Sequence, residues 1–168
     1  MKKYLVFILT SLFLLSGCAK NQSNVISVNN PYEIEYNGKI LSYYDTVDQV
    51  AIDNFIILEN NGSNLDYKDG NSILVNDYGI IRAISITDND VITYKSISVG
   101  DDVKKIEDSF ENVQINPINY YVLFNGNSEE VSYNSNIEDN WIWIHYVIND
   151  SKITRILIYD TKYSRIGG

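Results

Sequence analysis

Trp141-Ile142-Trp143-Ile144-His145-Tyr146-Val147-Ile148, followed after Asn149-Asp150-Ser151 by Lys152-Ile153-Thr154-Arg155-Ile156-Leu157-Ile158-Tyr159, is the stretch that decides the fold. Side chains alternate with period two, β-branched and aromatic residues dominate, and three polar residues separate the runs, which together read as a β-hairpin. Ile142, Ile144, Tyr146 and Ile148 share one face; Trp141, Trp143, His145 and Val147 share the other. The aliphatic face is the better core, so Trp141, Trp143 and His145 are expected to point away from it. A Trp-Trp-His row is unusual to leave in water. Either other elements or a second copy cover it, or it is a partner-binding face.

Working upstream, Tyr120 to Phe124 reads as a strand, Asn125-Gly126-Asn127 as a turn, and Glu130 to Tyr133 as a short strand before the polar loop Asn134 to Asn140. Ser72 to Asn76 and Ile80 to Thr87 form a second hairpin around Asp77-Tyr78-Gly79, with Val91 to Tyr94 beyond it. Ile34 and Tyr36 alternate with Glu33 and Glu35 in a short entry strand that turns at Asn37-Gly38. Two segments switch to helical spacing. Val103, Ile106 and Phe110 line one face of a helix that Asp101 should cap. Val47, Val50, Ala51 and Phe55 do the same in a helix from Asp45 to Phe55. The tail from Lys162 is expected to fray.

The order of these elements recurs. At an offset of 56, Asp45, Val47 and Val50 fall on Asp101, Val103 and Ile106; at an offset of 72, Ile81, Ile84, Ile86 and Asp88 fall on Ile153, Ile156, Ile158 and Asp160. The expected fold is therefore α+β: short helices packed on one face of an antiparallel sheet, in two tandem helix-plus-strands repeats over 31–94 and 95–168. Val99-Gly100-Asp101-Asp102-Val103-Lys104-Lys105-Ile106, with Tyr44-Asp45-Thr46-Val47-Asp48-Gln49-Val50 as its partner, resembles the tandem-repeat fold of beta-lactamase inhibitor protein. Small outer-membrane-assembly lipoproteins have a related, shorter unit. The resemblance implies a concave sheet face used for binding a protein and brings no catalytic residues. The chain departs from the pattern at Tyr44, which replaces the glycine, and at Phe110-Glu111, where a glycine normally follows the aromatic residue.

The N-terminal end carries an address. Lys2 and Lys3 precede an apolar run from Tyr4 to Leu15, and small residues follow before the chain's single cysteine, Cys18. That is the layout of a secretory signal segment. A retained transmembrane helix would need about 20 apolar residues, and this run is shorter and interrupted by Thr10 and Ser11. Leu15-Ser16-Gly17-Cys18 resembles the lipobox of bacterial lipoproteins. The resemblance implies a signal peptide over 1–17, acylation of Cys18 and a lipidated tether over 18–30. The expected location is the bacterial cell membrane, lipid-anchored and facing outside the cytoplasm.

Losing Lys2 and Lys3 would take the formal charge from -9 to -11. Such acidity argues against nucleic acid, which rewards Lys and Arg clusters. His145 is the only histidine, so a His/Cys metal site lacks ligands. Asp88-Asn89-Asp90 and Asp66 to Asn71 are oxygen-rich turns without the ligand spacing of a calcium loop. No serine elbow, phosphate loop or opposed carboxylate pair is visible. The expectation is a non-enzymatic module without metal or cofactor that binds an envelope protein or peptide. The rivals are a structural or assembly lipoprotein and, from another class, a carboxylate-dependent hydrolase.

Overall fold

The computed structural model describes residues 27–47, 55–59, 70–133 and 136–164. Cys18, the leader and most of the tether lie outside them, as do residues 48–54 of the helix expected from Asp45. The strands are β1 (Glu33–Tyr36), β2 (Lys39–Ser42), β3 (Ile56–Glu59), β4 (Ser72–Val75), β5 (Ile81–Ile86), β6 (Gln114–Asn116), β7 (Asn119–Phe124), β8 (Glu130–Val131), β9 (Ile142–Asn149) and β10 (Lys152–Asp160). Helix α1 spans Lys104–Ser109, a 3-10 turn spans Tyr94–Ser96, and a four-residue helical turn α2 spans Thr161–Ser164.

Eight strands make one sheet in the order β3-β4-β5-β10-β9-β7-β6, with β8 also on β7. β6 pairs with Asn119 to Tyr121 and β8 with Leu123 and Phe124, so the two share the outer edge of β7 end to end. The long hairpin turns through Asp150 and Ser151, both at positive φ, inside the closing pair Asn149–Lys152. That is the primed two-residue turn whose twist suits paired strands. One face of the sheet carries Ile73, Ile84, Ile86, Val122, Phe124, Ile142, Ile144, Tyr146, Ile156 and Ile158, all buried. Over it pack Ile34 of β1, Tyr43, Val91, Ile97, and Ile106 and Phe110 at α1.

This corrects the expected architecture in three respects. The sheet is mixed, because β3 pairs with β4 in parallel. Among the described residues its covering layer is the β1–β2 hairpin, the 3-10 turn and the short helix α1, not a row of helices. No tandem helix-plus-strands units form among the described residues either, since β5 and β10 lie side by side and both halves feed one core. What recurs is smaller: a turn hydrogen-bonded to the start of a strand. The Ser98 amide donates to Asp101 Oδ2 (2.8 Å), as the Ser42 amide does to Asp45 Oδ2 (2.9 Å). The Gly100 and Tyr44 amides donate to the carbonyls of Ile153 and Ile81 (2.8 and 3.4 Å). The Val103 and Val47 amides donate to Ser151 and Gly79 (2.9 Å each). Asp101 thus closes a turn and does not cap α1; Asp102 Oδ1 takes the Lys104 amide at 3.0 Å. The C-terminal tail, expected to fray from Lys162, continues through α2.

Helix α1 contributes to the core mainly through Ile106, which is fully buried, and Phe110 just beyond it. Ile106→Ala should lower unfolding stability by about 2–4 kcal/mol through lost transfer energy and the cavity left behind. A urea denaturation series reads this directly; a loss below about 1 kcal/mol would mean α1 does not pack as described.

Candidate functional site

Trp141, Trp143 and His145 do share one face, opposite the main core. Both tryptophans are buried, packing with Leu123 among Tyr121, Val131, Ile137 and Tyr159. Tyr121 sits edge-on to Trp143 (6.0 Å between ring centres) and stacked on His145 (4.4 Å). His145 Nε2 donates to Asn119 Oδ1 at 2.7 Å. Burial pushes the imidazole down to about 4, so it is neutral near pH 7. Over the tryptophans the face is therefore covered, in part by Ile137. This is the lone apolar residue of a loop read from its sequence only as polar.

A second constellation was not anticipated. Asp160, at the end of β10, is 1% exposed and forms an ion pair with Arg82 of β5. The guanidinium lies 5.8 and 5.9 Å from the ring centres of Tyr43 and Tyr44, which meet edge to face at 4.2 Å. Tyr43 is buried, and desolvation reinforced by the Asp160 charge pushes its phenol far above the ordinary range. Tyr44 differs: 47% of it is exposed, and its backbone is left-handed at φ 79°. Gly100, at φ 91°, holds the matching place in the other half without steric cost. The substitution of tyrosine for that glycine was the signal available in the sequence.

The third feature is a pocket of about 290 Å³ lined by Asn125, Gly126, Asn127, Glu138, Asn140 and Trp141. Two turns build it. Asn125 Oδ1 accepts from the amides of Asn127 and Glu129 (2.9 and 3.0 Å), and its Nδ2 donates to Glu129 Oε2 (2.8 Å). Across from it, the Glu138 carbonyl accepts from the Trp141 amide (3.3 Å) and from Thr161 Oγ1, while the Thr161 amide donates to the Trp141 carbonyl (2.9 Å). A Cβ on Gly126 would stand 2.9 Å from Asn140 Nδ2, so glycine is what lets the Asn140 amide lie there.

Of the oxygen-rich turns, Asp88 accepts a hydrogen bond from Asn71 Nδ2 (3.0 Å), and residues 66–69 lie outside the described residues. Among the described residues, no three His, Cys, Asp or Glu side chains converge as metal ligands do. No protein-family model, curated protein or solved structure matches this chain. The functional reading therefore rests on its own residues.

Two measurements check this geometry. With His145 depressed in the fold, the unfolded chain binds the extra proton between about pH 6.5 and pH 4, so this residue's contribution to stability falls as pH drops through that window. His145→Gln should remove up to about 3 kcal/mol of that acid sensitivity, read as the difference between the two proteins' stability-versus-pH curves. At Tyr44, Ala keeps the left-handed strain that Gly releases. Tyr44→Gly should be more stable than Tyr44→Ala by about 1 kcal/mol, reversing the usual order.

Proposed function

We propose that this chain is a membrane-anchored extracytoplasmic binding module, tethered by acylated Cys18, that engages a protein partner through Tyr44 and Arg82, with the buried Tyr43 ring behind them. The observation that carries the reading is Tyr44, a half-exposed aromatic ring presented by a left-handed backbone. Such a conformation costs on the order of 1–3 kcal/mol, and a ring that stays half-exposed beside Tyr43 and Arg82 returns only part of it to the fold. Tyrosine and arginine are the residue types that dominate binding hot spots. Here the Asp160 carboxylate holds the guanidinium in place, which lowers the ordering cost of a contact. The anchor is supported by the two lysines, the apolar run and Leu15-Ser16-Gly17-Cys18. The acidity of the chain favours a partner with a neutral or basic contact surface.

A second reading, an assembly lipoprotein that self-associates, has one observation of its own. β6 is the last strand of the sheet among the described residues and is exposed throughout, with Ile115 at 58% and nearby Ile118 at 61%. Exposed edges of this kind template further pairing. The hydrolase reading gains no comparable support: among the described residues Asp160 is the only fully buried carboxylate, and Arg82 neutralises it.

A photo-crosslinking amino acid at position 44 should capture a discrete partner in intact cells, and the same probe at position 115 should not. A dimer-sized adduct from position 115 with none from 44 would instead favour assembly. Cys18→Ser should move the protein from the membrane to the soluble fraction with an unchanged melting curve; continued membrane retention would remove the anchor from the proposal.

A further inference from the structure

We infer that the protein engaged by Tyr44 and Arg82 is fixed in the same membrane and is met through its segment next to the bilayer. This rests on the binding role and the acylated Cys18 proposed above. Three observations carry it. First, the tether joins the fold beside the site. Val28 and Pro31 are buried, the Glu33 amide donates to the Asn30 carbonyl (3.2 Å), and Asn30 Nδ2 donates to Glu33 Oε1 (2.6 Å). The Tyr43 amide then donates to the Tyr32 carbonyl at 2.8 Å, and Tyr44 is the next residue. The exposed ring therefore lies one residue from the backbone contact that fastens the incoming chain. Second, the tether is short. Cys18 to Ser27 is nine peptide units, which span about 30 Å at full extension. That is about the diameter of a small domain, so the site cannot leave the layer of protein that borders the lipid. Third, the site is small. Tyr44 is 47% exposed, the Arg82 side chain 27%, and Tyr43 only backs them. Stable interfaces bury roughly 800 Å² on each partner, far more than two partly exposed side chains offer. Binding at ordinary dilution would be weak, and confining both proteins to one surface supplies the effective concentration that a weak contact needs.

Other occupants fit less well. A protein free in solution gains nothing from the anchor. Anionic lipid headgroups reward unpaired Lys and Arg, whereas Arg82 is already paired with Asp160, Asp45 stands exposed beside the ring, and the chain carries a formal -9. A second copy would bring the same acidic surface against itself. Exposed Asp45 also sets the chemistry of the contacting segment, which is neutral or basic and turns no carboxylate toward the ring.

The test places an aromatic photo-crosslinking amino acid at position 44 of the full-length protein in intact cells and identifies the adduct by mass spectrometry. The adduct should contain a different chain that carries its own membrane span or lipid anchor, crosslinked near that span or anchor. Cys18→Ser should lower its yield at least tenfold, and a single transmembrane helix in place of residues 1–18 should restore it. A semi-rigid helical spacer of about 40 residues between Asn24 and Val25 adds roughly 60 Å, at about 1.5 Å per residue. It should lower the yield at least fivefold while the protein stays in the membrane. An adduct with a soluble protein, or a yield that survives either change, would overturn the inference and leave Tyr44 as a binding site. A lipid adduct, or one with a second copy, would overturn it as well. With no adduct at all, the binding role of Tyr44 falls too.

Discussion

Strand β10 is the constraint on which the rest of the structure depends. It is paired along one side with β5 and along the other with β9, in the middle of the sheet. Its side chains serve both faces: Ile156 and Ile158 enter the main core, while Leu157 packs with Leu74 and Ala83 on the reverse. A one-residue slip would exchange these sets and send Asp160 to the wrong face. The register is held at the hairpin end by the primed turn and by the irregularity between Ile153 and Arg155. At the other end the buried Arg82–Asp160 pair adds a polar constraint, since a shifted Asp160 would leave a charge buried without its partner.

The same strand explains why the recurrence in the sequence points to the wrong architecture. Ser85 and Leu157, 72 positions apart, are themselves register partners. The recurring strands therefore face each other across a local two-fold relation and are not stacked as successive units. The relation fades outward. β9, beside β10, pairs antiparallel with β7, whereas β4, beside β5, pairs parallel with β3. A linear offset reports that two segments are alike; it carries no information on whether they pair with one another or each fold into a separate unit.

Strands with a buried face were legible, because burial imposes the alternation that a reader of sequence detects. β4, β5, β7, β9 and β10 were all expected near their observed bounds. β2 and β6 were not, and nor was β3 (β6 has no buried position to impose a pattern). Ile106 was correctly placed on the buried face of α1, yet its expected cap, Asp101, closes the preceding turn instead. Local preference cannot separate those two uses of an aspartate ahead of a helix. The functional residues follow the same division. The shared face of Trp141, Trp143 and His145 came from period two, but its coverage did not, since Ile137 reaches it through folding. The grouping of Tyr43, Tyr44, Arg82 and Asp160 joins residues up to 117 positions apart, from Tyr43 to Asp160, and no spacing rule reaches that far.

Both candidate sites are tied to two consecutive residues at the end of β10. The Asp160 side chain holds the guanidinium beside Tyr43 and Tyr44, while the Thr161 hydroxyl and amide fasten the Glu138–Trp141 turn of the pocket. Backbone geometry accounts for the division. Asp160 is the last strand residue and follows the alternation toward the main core, and at Thr161 the chain leaves the strand for α2 and turns its hydrogen-bonding groups to the opposite wall. A displacement of the Glu138–Trp141 turn would act on Thr161, one peptide unit from the carboxylate that orients Arg82. The physical link between the sites is thus short and covalent, and it runs through the one strand whose register the whole sheet enforces.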